Sequence, residues 1–283
     1  MKEKICIMTD TMVDIPKDWI NVYSIKRIPT IIYFGSDKMD AREIDAHDVL
    51  EYYGKNHELP TTGPTTVEMF NDFFVPLIHQ GYYIIYLSSM PSISANYSNS
   101  LEAAEIFGDK ITIIDTKFSS IGVTPLIWEI CNFIKDNNPT YDEIINKINT
   151  TIDKIRCQFI VDDLNFVMEN SNVSFVSRVL ANVMNIKPSM ILSKGKILPD
   201  KKFSGNTKKA LSKFIDYTFS KYSNIDTRFI VLGHTDADVS IIKEATELIN
   251  KHVQFEHTEV LCAGGPISAH LGKGAIMLAF LEK

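Results

Sequence analysis

Over the first 137 residues, short apolar runs alternate with longer segments of helical period, and this alternation restricts the fold more than any other feature of the chain. Ile5–Met8, Arg27–Tyr33, Tyr82–Leu87 and Ile111–Asp115 are rich in β-branched and aromatic residues and read as strands. Between them, Glu43–Tyr53 places Ile44, Val49, Leu50 and Tyr53 at helical spacing, and helices are expected over Val67–Gln80, Asn96–Phe107 and Ile121–Lys135. Asp14-Ile15-Pro16 starts a further helix toward Ile20, since proline is tolerated in a first turn. Repeated β/α alternation implies a largely parallel sheet with helices on both faces, a Rossmann-like α/β/α arrangement.

The texture changes after Asn137-Asn138-Pro139. Tyr141–Ile155 has the pattern of an amphipathic helix and Cys157–Val161 that of a strand. Short helices are expected over Asp163–Met168 and Val176–Met184, then a hairpin pairing Ser189–Leu192 with Lys196–Leu198 across Ser193-Lys194-Gly195. Helix Lys208–Tyr222, strand Arg228–Leu232, helix Val239–Asn250 and strand Phe255–Leu261 follow. The glycine-rich stretch Ala263–Pro266 leads to His270 and Gly272-Lys273-Gly274, and the final run Ala275–Leu281 is preferred as a strand. This half is α+β. At 283 residues the chain is long for one core, and the expected domains are residues 1–155 and 156–283.

Net charge excludes some partners. At −6, with a sequence pI of about 5.7, the chain is not expected to bind nucleic acid or an anionic membrane as its main partner. Lys201-Lys202 and Lys208-Lys209 read as solvated faces. Cys6, Cys131, Cys157 and Cys262 are far apart and form no CxxC or Cys/His cluster, so they read as buried thiols in a reducing compartment, with no metal. The apolar run at the N-terminus is too short for a signal peptide, and no stretch is long enough to span a bilayer. A cytoplasmic location is expected.

Candidate chemistry concentrates in hydroxyl-rich turns. The segment Gly81–Ser100 runs from a strand through Ser88-Ser89-Met90-Pro91-Ser92 into a helix opened by Ser94-Ala95-Asn96. Such a junction presents backbone N–H groups and hydroxyls to an anion. Thr9-Asp10-Thr11 follows the first strand, and Thr61-Thr62 lies in a proline-bounded loop whose Thr66 can cap the next helix. In an α/β sheet such turns gather along the carboxyl edge, where ligands bind. Hydroxyls and amides there suit a carboxylate or a phosphate, although Ser and Thr are common in turns for purely local reasons. His270, among glycines that permit close backbone approach, is a further donor. A small-molecule hydrolase using Ser94 and His270 is the competing reading, but Ser92–Asn96 lacks the G-x-S-x-G elbow. Gly264-Gly265 and Gly272-x-Gly274 fit neither a P-loop nor GxGxxG.

Seven short motifs, in order along the chain, resemble those of the DegV family of bacterial fatty-acid-binding proteins. Ile7–Pro16 resembles I-x-T-D-S-T-A-D-L-P, Pro60–Thr65 is similar to P-T-S-Q-P-S, and Leu87–Tyr97 stands where the family has a serine-rich turn and S-G-T-Y. Ile113–Thr116 resembles V-I-D-S, Val161–Leu164 V-D-D-L, Asn185–Pro188 N-I-K-P, and His270–Gly274 H-T-G-P-G. The resemblance implies a long-chain fatty acid between an N-terminal α/β and a C-terminal α+β domain. It implies no cofactor and no catalysis by the chain itself. Its carboxylate would be held by Thr61, Thr62, Ser94, the Ala95 backbone N–H and His270; the hydroxyl-rich turns add Thr9, Asp10 and Asn96 as further candidates. The resemblance also implies a fatty acid kinase as partner. Here, however, the family's G-G-R stands as Asn170-Ser171-Asn172, and its basic R-x-R-K-K segment as Gly205–Lys209. Lipid binding is therefore the firmer implication. Alanine at the family's glycine, Ala95, would be strained if that position required positive φ.

Overall fold

A computed structural model describes residues 3–162 and 186–283. The expected helices Asp163–Met168 and Val176–Met184, and Asn170–Asn172, lie outside the described residues.

The alternation produces a four-stranded parallel sheet in the order β2-β1-β6-β7, built from β1 (Lys4–Asp10), β2 (Lys26–Ile28), β6 (Tyr82–Ser88) and β7 (Ile111–Asp115). Its strands are apolar on both sides because both faces are covered. Cys6, Met8, Ile84 and Tyr86 point toward Phe70 and Phe74 of α3 (Val67–His79) and toward α4 (Asn96–Ala104). Ile7, Ile85 and Leu87 point the other way, to α1 (Lys17–Val22), α5 (Thr124–Asn137) and α6 (Tyr141–Ile152). Thr66 caps α3 through Met69 N at 3.3 Å, as its sequence position implies.

The run Arg27–Tyr33 is not one strand. Pro29 has no N–H for the ladder, so pairing stops at Ile28. The chain then enters a separate antiparallel sheet, β4-β3-β5, formed by β3 (Ile31–Phe34), β4 (Asp37–Asp40) and β5 (Thr61–Gly63). Thr61 and Thr62 therefore belong to a short strand, not to a loop. The helix expected from Asp14 begins only at Lys17, with Pro16 as its N-cap. Helix α2 (Ala46–Asn56) carries a capping box between Asp45 and Asp48.

The second sheet has six strands in the order β10-β9-β8-β13-β11-β12: β8 (Ile155–Ile160), β9 (Ile186–Ser193), β10 (Lys196–Ser204), β11 (Ile225–His234), β12 (His257–Cys262) and β13 (Ile276–Glu282). Only β11 and β12 are parallel; the final apolar run is indeed a strand, at the sheet centre. Helices α7 (Thr207–Lys221) and α8 (Val239–His252) cover one face around Phe214, Ile215 and Ile241. The opposite face places Phe159, Val231 and Met277 in the same core as Ile85, Leu126 and Ile130 of the first half. Of the four cysteines, Cys6, Cys131 and Cys157 are buried, whereas Cys262 is exposed at the end of edge strand β12.

The stretch Ala263–Gly274 differs most from its sequence reading. It contains a helix, α9 (Gly265–Leu271), with His270 in its last turn. Two glycines make this possible. A Cβ on Gly265 would stand 2.6 Å from Ile44 Cγ2 and 3.0 Å from Ile44 O, so the helix start packs directly on that backbone. Gly272, at φ +66°, turns the chain out of the helix.

Candidate functional site

Strand β5 pairs with β3 in the register Ile32↔Thr62, which holds Thr62 beside α9. Ala269 seats α9 in a small core with Ile32, Ala41 and Val49. Thr62 Oγ1 and His270 Nε2 are consequently 3.0 Å apart, although 208 residues separate them in sequence. Desolvation holds the His270 imidazole below its ordinary value, favouring the neutral ring near pH 7. A neutral imidazole keeps one N–H to donate and one nitrogen to accept.

The other half of the site is the turn entering α4. Ser94 Oγ accepts from Asn96 N at 3.2 Å. Asn96 is fully buried; its Oδ1 accepts from Thr65 N at 2.9 Å, while Asn99 Nδ2 donates to Thr65 O at 2.8 Å. The segment carrying Thr62 is thereby tied to the helix that follows Ser94. Asn96 Nδ2 is buried with no hydrogen-bond partner among the described residues. An unpaired buried donor is uncommon and favours an acceptor at this turn. Ala95 is exposed at φ −77°, so alanine fits this position without strain.

Thr9 and Asp10 are directed elsewhere. Thr9 Oγ1 donates to Leu87 O at 2.9 Å. Asp10 is fully buried and accepts from Met12 N at 2.8 Å, Tyr86 Oη at 2.7 Å, Ser89 Oγ at 3.1 Å and Ser89 N at 3.2 Å. Burial, then the Asp10 charge, pushes the Tyr86 phenol well above its ordinary value, so it remains a donor. These residues brace the turn after β6 from within. Thr61 is exposed, next to Thr62 in β5.

Asp14, read in the sequence only as the start of a helix, joins the two halves. Its Oδ1 accepts from Gly264 N at 2.8 Å and its Oδ2 from Ser120 Oγ at 2.6 Å. Thr124 Oγ1 donates to the Asp14 carbonyl at 2.6 Å. Burial raises the Asp14 carboxyl above its ordinary value, against the opposing effect of the Ser120 and Gly264 donors. Gly264 immediately precedes α9, so this clasp fixes the base of the helix that carries His270. Among the described residues, no group of three or more His, Cys, Asp or Glu side chains is placed to hold a metal ion.

Fold and geometry define a three-sheet α/β protein in which the Thr62–His270 pair is tied, through Thr65 and Asn96, to the turn that follows β6 of the parallel sheet. The chain belongs to the DegV family: the family model described as "Uncharacterised protein, DegV family" matches residues 4–283. It is 25% identical over 283 residues to a DegV domain-containing protein of Clostridium acetobutylicum, covering 99% of both chains. Among solved structures, it is similar to a DegV family protein from Thermus thermophilus described for its fatty acid binding. That likeness has a TM-score of 0.89 at 17% identity, over 98% of this chain and 99% of the other. It is also similar to the B3 protein of the fatty acid kinase of Streptococcus pneumoniae, solved loaded with linoleic acid. Here the TM-score is 0.84 at 16% identity, over 99% of this chain and 100% of the other.

Proposed function

We propose that this protein binds and sequesters a long-chain fatty acid in the cytoplasm, between units comprising residues 1–155 and 156–283, and catalyses nothing on its own. Thr61, Thr62, Ser94, the Ala95 N–H and His270 surround the carboxylate, and Asn96 supports them. The observation that carries this reading is the join between the Thr62–His270 pair and the Ser94–Asn96 turn, where Asn96 Nδ2 is a buried donor without an acceptor among the described residues. Burying a carboxylate is tolerable where several donors converge on it or where it takes up a proton. Affinity comes from the acyl tail, at roughly 0.8 kcal/mol per CH₂ removed from water. The head-group residues set orientation.

The likeness to a kinase-associated protein supports a presenting role. In that role a separate kinase phosphorylates the bound acid. A carboxylate oxygen bonds to the γ-phosphorus of ATP, the β–γ bridging P–O bond breaks, and ADP leaves.

A hydrolase would need Ser94 hydrogen-bonded to a histidine base. His270 pairs instead with Thr62, and Ser94 Oγ accepts from a backbone N–H. Native mass spectrometry of the purified protein, followed by extraction, tests the carrier reading. One fatty acid per chain is expected. A protein that stays empty after incubation with oleic acid would refute it.

A further inference from the structure

Asp162, Lys187 and Gly274 come from three separate motifs, Val161–Leu164, Asn185–Pro188 and His270–Gly274, and the fold brings them to one point. Asp162 lies just beyond β8 and Lys187 in β9. Lys187 Nζ stands 2.6 Å from Asp162 Oδ1 and donates to the Asp162 carbonyl at 2.8 Å. Thr207, the first residue of α7, donates its hydroxyl to the same Oδ1 at 2.8 Å. The ion pair is partly buried, with side chains 20% and 33% exposed, and its extra hydrogen bonds fix a geometry that a freely exposed pair lacks. Strand pairing does not need it. The β8–β9 ladder already joins the two strands from Cys157↔Leu192 to Ile160↔Ser189.

What the pair adds is a fixed side chain against Gly274. That glycine has φ +83°, and a Cβ on it would stand 3.2 Å from Asp162 Cβ and 3.4 Å from Asp162 Oδ2. On the other side, Gly274 N donates to Thr235 O at 2.7 Å and Ala275 N to Thr235 Oγ1 at 2.9 Å. The turn that leaves α9 is therefore confined between Asp162 and the end of β11. His270 precedes Gly274 by four residues and lies in the last turn of α9. The start of this seven-residue helix is fixed separately, by Asp14 on Gly264 N and by Gly265 on Ile44.

We propose that Asp162 and Lys187 are positioning residues for His270: through the Gly274 turn, their ion pair sets how the imidazole meets Thr62 and the ligand's carboxylate. This rests on the fatty-acid reading above. The pair acts through α9 and does not itself hold the ligand. Without Lys187, the Asp162 carboxylate keeps only the Thr207 donor and draws water toward the Gly274 turn. The end of α9 then shifts while its start stays seated. A displacement of a few tenths of an ångström is enough to weaken a 3.0 Å contact such as that between Thr62 and His270.

The test follows His270 directly in the full chain. Its ring resonances, assigned by their loss in His270→Gln, are read by NMR without ligand, and release of oleic acid is timed by competition with a fluorescent fatty acid. Lys187→Met is expected to shift the ring resonances and to speed release about fivefold. Native mass spectrometry should still find one oleic acid per chain. Lys187→Arg should return both readouts toward wild type, and Asp162→Asn added to Lys187→Met should add little, since the two residues act as a unit. Ile249→Ala, in the core beneath α8, should lower the denaturation midpoint at least as far yet leave ring and release unchanged. Should Lys187→Met fail to fold, Asp162→Asn carries the same expectations. Unmoved resonances or release at the wild-type rate would overturn the proposal. Equal changes in Ile249→Ala would overturn it too, by showing general loosening. A wild-type chain that takes up no oleic acid would refute the fatty-acid reading itself, and the ring resonances of the unliganded protein would still decide the positioning.

Discussion

Asp10 and Thr62 both stand in hydroxyl-rich stretches near the carboxyl edge of the first sheet, yet their surroundings are opposite. Around Asp10, four donors converge on one buried carboxyl, and none is left for a ligand. Around Thr62, a hydroxyl meets an imidazole, while Asn96 nearby keeps a donor unpaired among the described residues. A satisfied polar cluster holds a fold together, whereas an unsatisfied one favours something not yet bound. The contrast separates scaffold from site where residue type does not.

The largest expected effect lies on the scaffold side. Asp10→Ala leaves Tyr86 Oη, Ser89 and Met12 N buried without their acceptor, and should lower unfolding free energy by about 3 kcal/mol. Urea denaturation measures this. The fatty acid content of the molecules that remain folded should be unchanged. Loss of ligand without loss of stability would place Asp10 in the site and break the contrast.

Gly265→Ala couples the two regions. Its Cβ would meet Ile44 at 2.6 Å, so α9 must shift, costing about 2 kcal/mol and moving His270 away from Thr62. Both a lower denaturation midpoint and faster ligand release are expected. If only the midpoint changed, the site would not depend on the seating of α9. On the site side, Thr62→Val with Ser94→Ala should weaken fatty acid retention about tenfold, or about 1.4 kcal/mol, with a smaller change in stability. Competition against a fluorescent fatty acid measures it. Equal retention by variant and wild type would remove these hydroxyls from the site.

Periodicity made much of the scaffold legible. Tyr82–Leu87 and Ile111–Asp115 are strands β6 and β7 almost to the residue, and Thr66 caps α3 as its position suggests. The break at Pro29 was also within reach of sequence, since proline is excluded from a central ladder. Strand β5 was not. Thr61–Gly63 has no strand period of its own and exists because β3 pairs with it. Helix α9 was hidden by its own opening: Gly-Gly-Pro signals a turn, and the close approach of Ile44, side chain and backbone together, explains why glycine starts a helix there. The candidate residues Thr62, Ser94 and His270 stand out in the sequence as types and by resemblance. That Thr62 meets His270, while Asp10 meets Tyr86 and Ser89, depends on partners at least 76 residues away.

The smallest expected effect asks in which form the acid is held. In the free protein, burial lowers the His270 pKa below its ordinary value of 6.5, so the folded chain takes up this proton less readily than the unfolded chain. Its contribution to stability is therefore present above that value and is lost as pH falls through it. An ionised ligand carboxylate beside His270 would oppose the desolvation and raise the folded pKa. By linkage, retention of an ionised ligand would then tighten as pH falls through the loaded pKa, until the acid itself takes up a proton. Titration of the His270 ring by NMR, with and without oleic acid, should show this upward shift, and His270→Gln should flatten the pH dependence of retention. The same titration in both states, with stoichiometric ligand bound, would mean that the acid is buried protonated. The ligand's carboxyl would then owe its tolerance to neutrality, whereas a raised pKa would place an ionised head group on donors convergent in the same sense as those around Asp10.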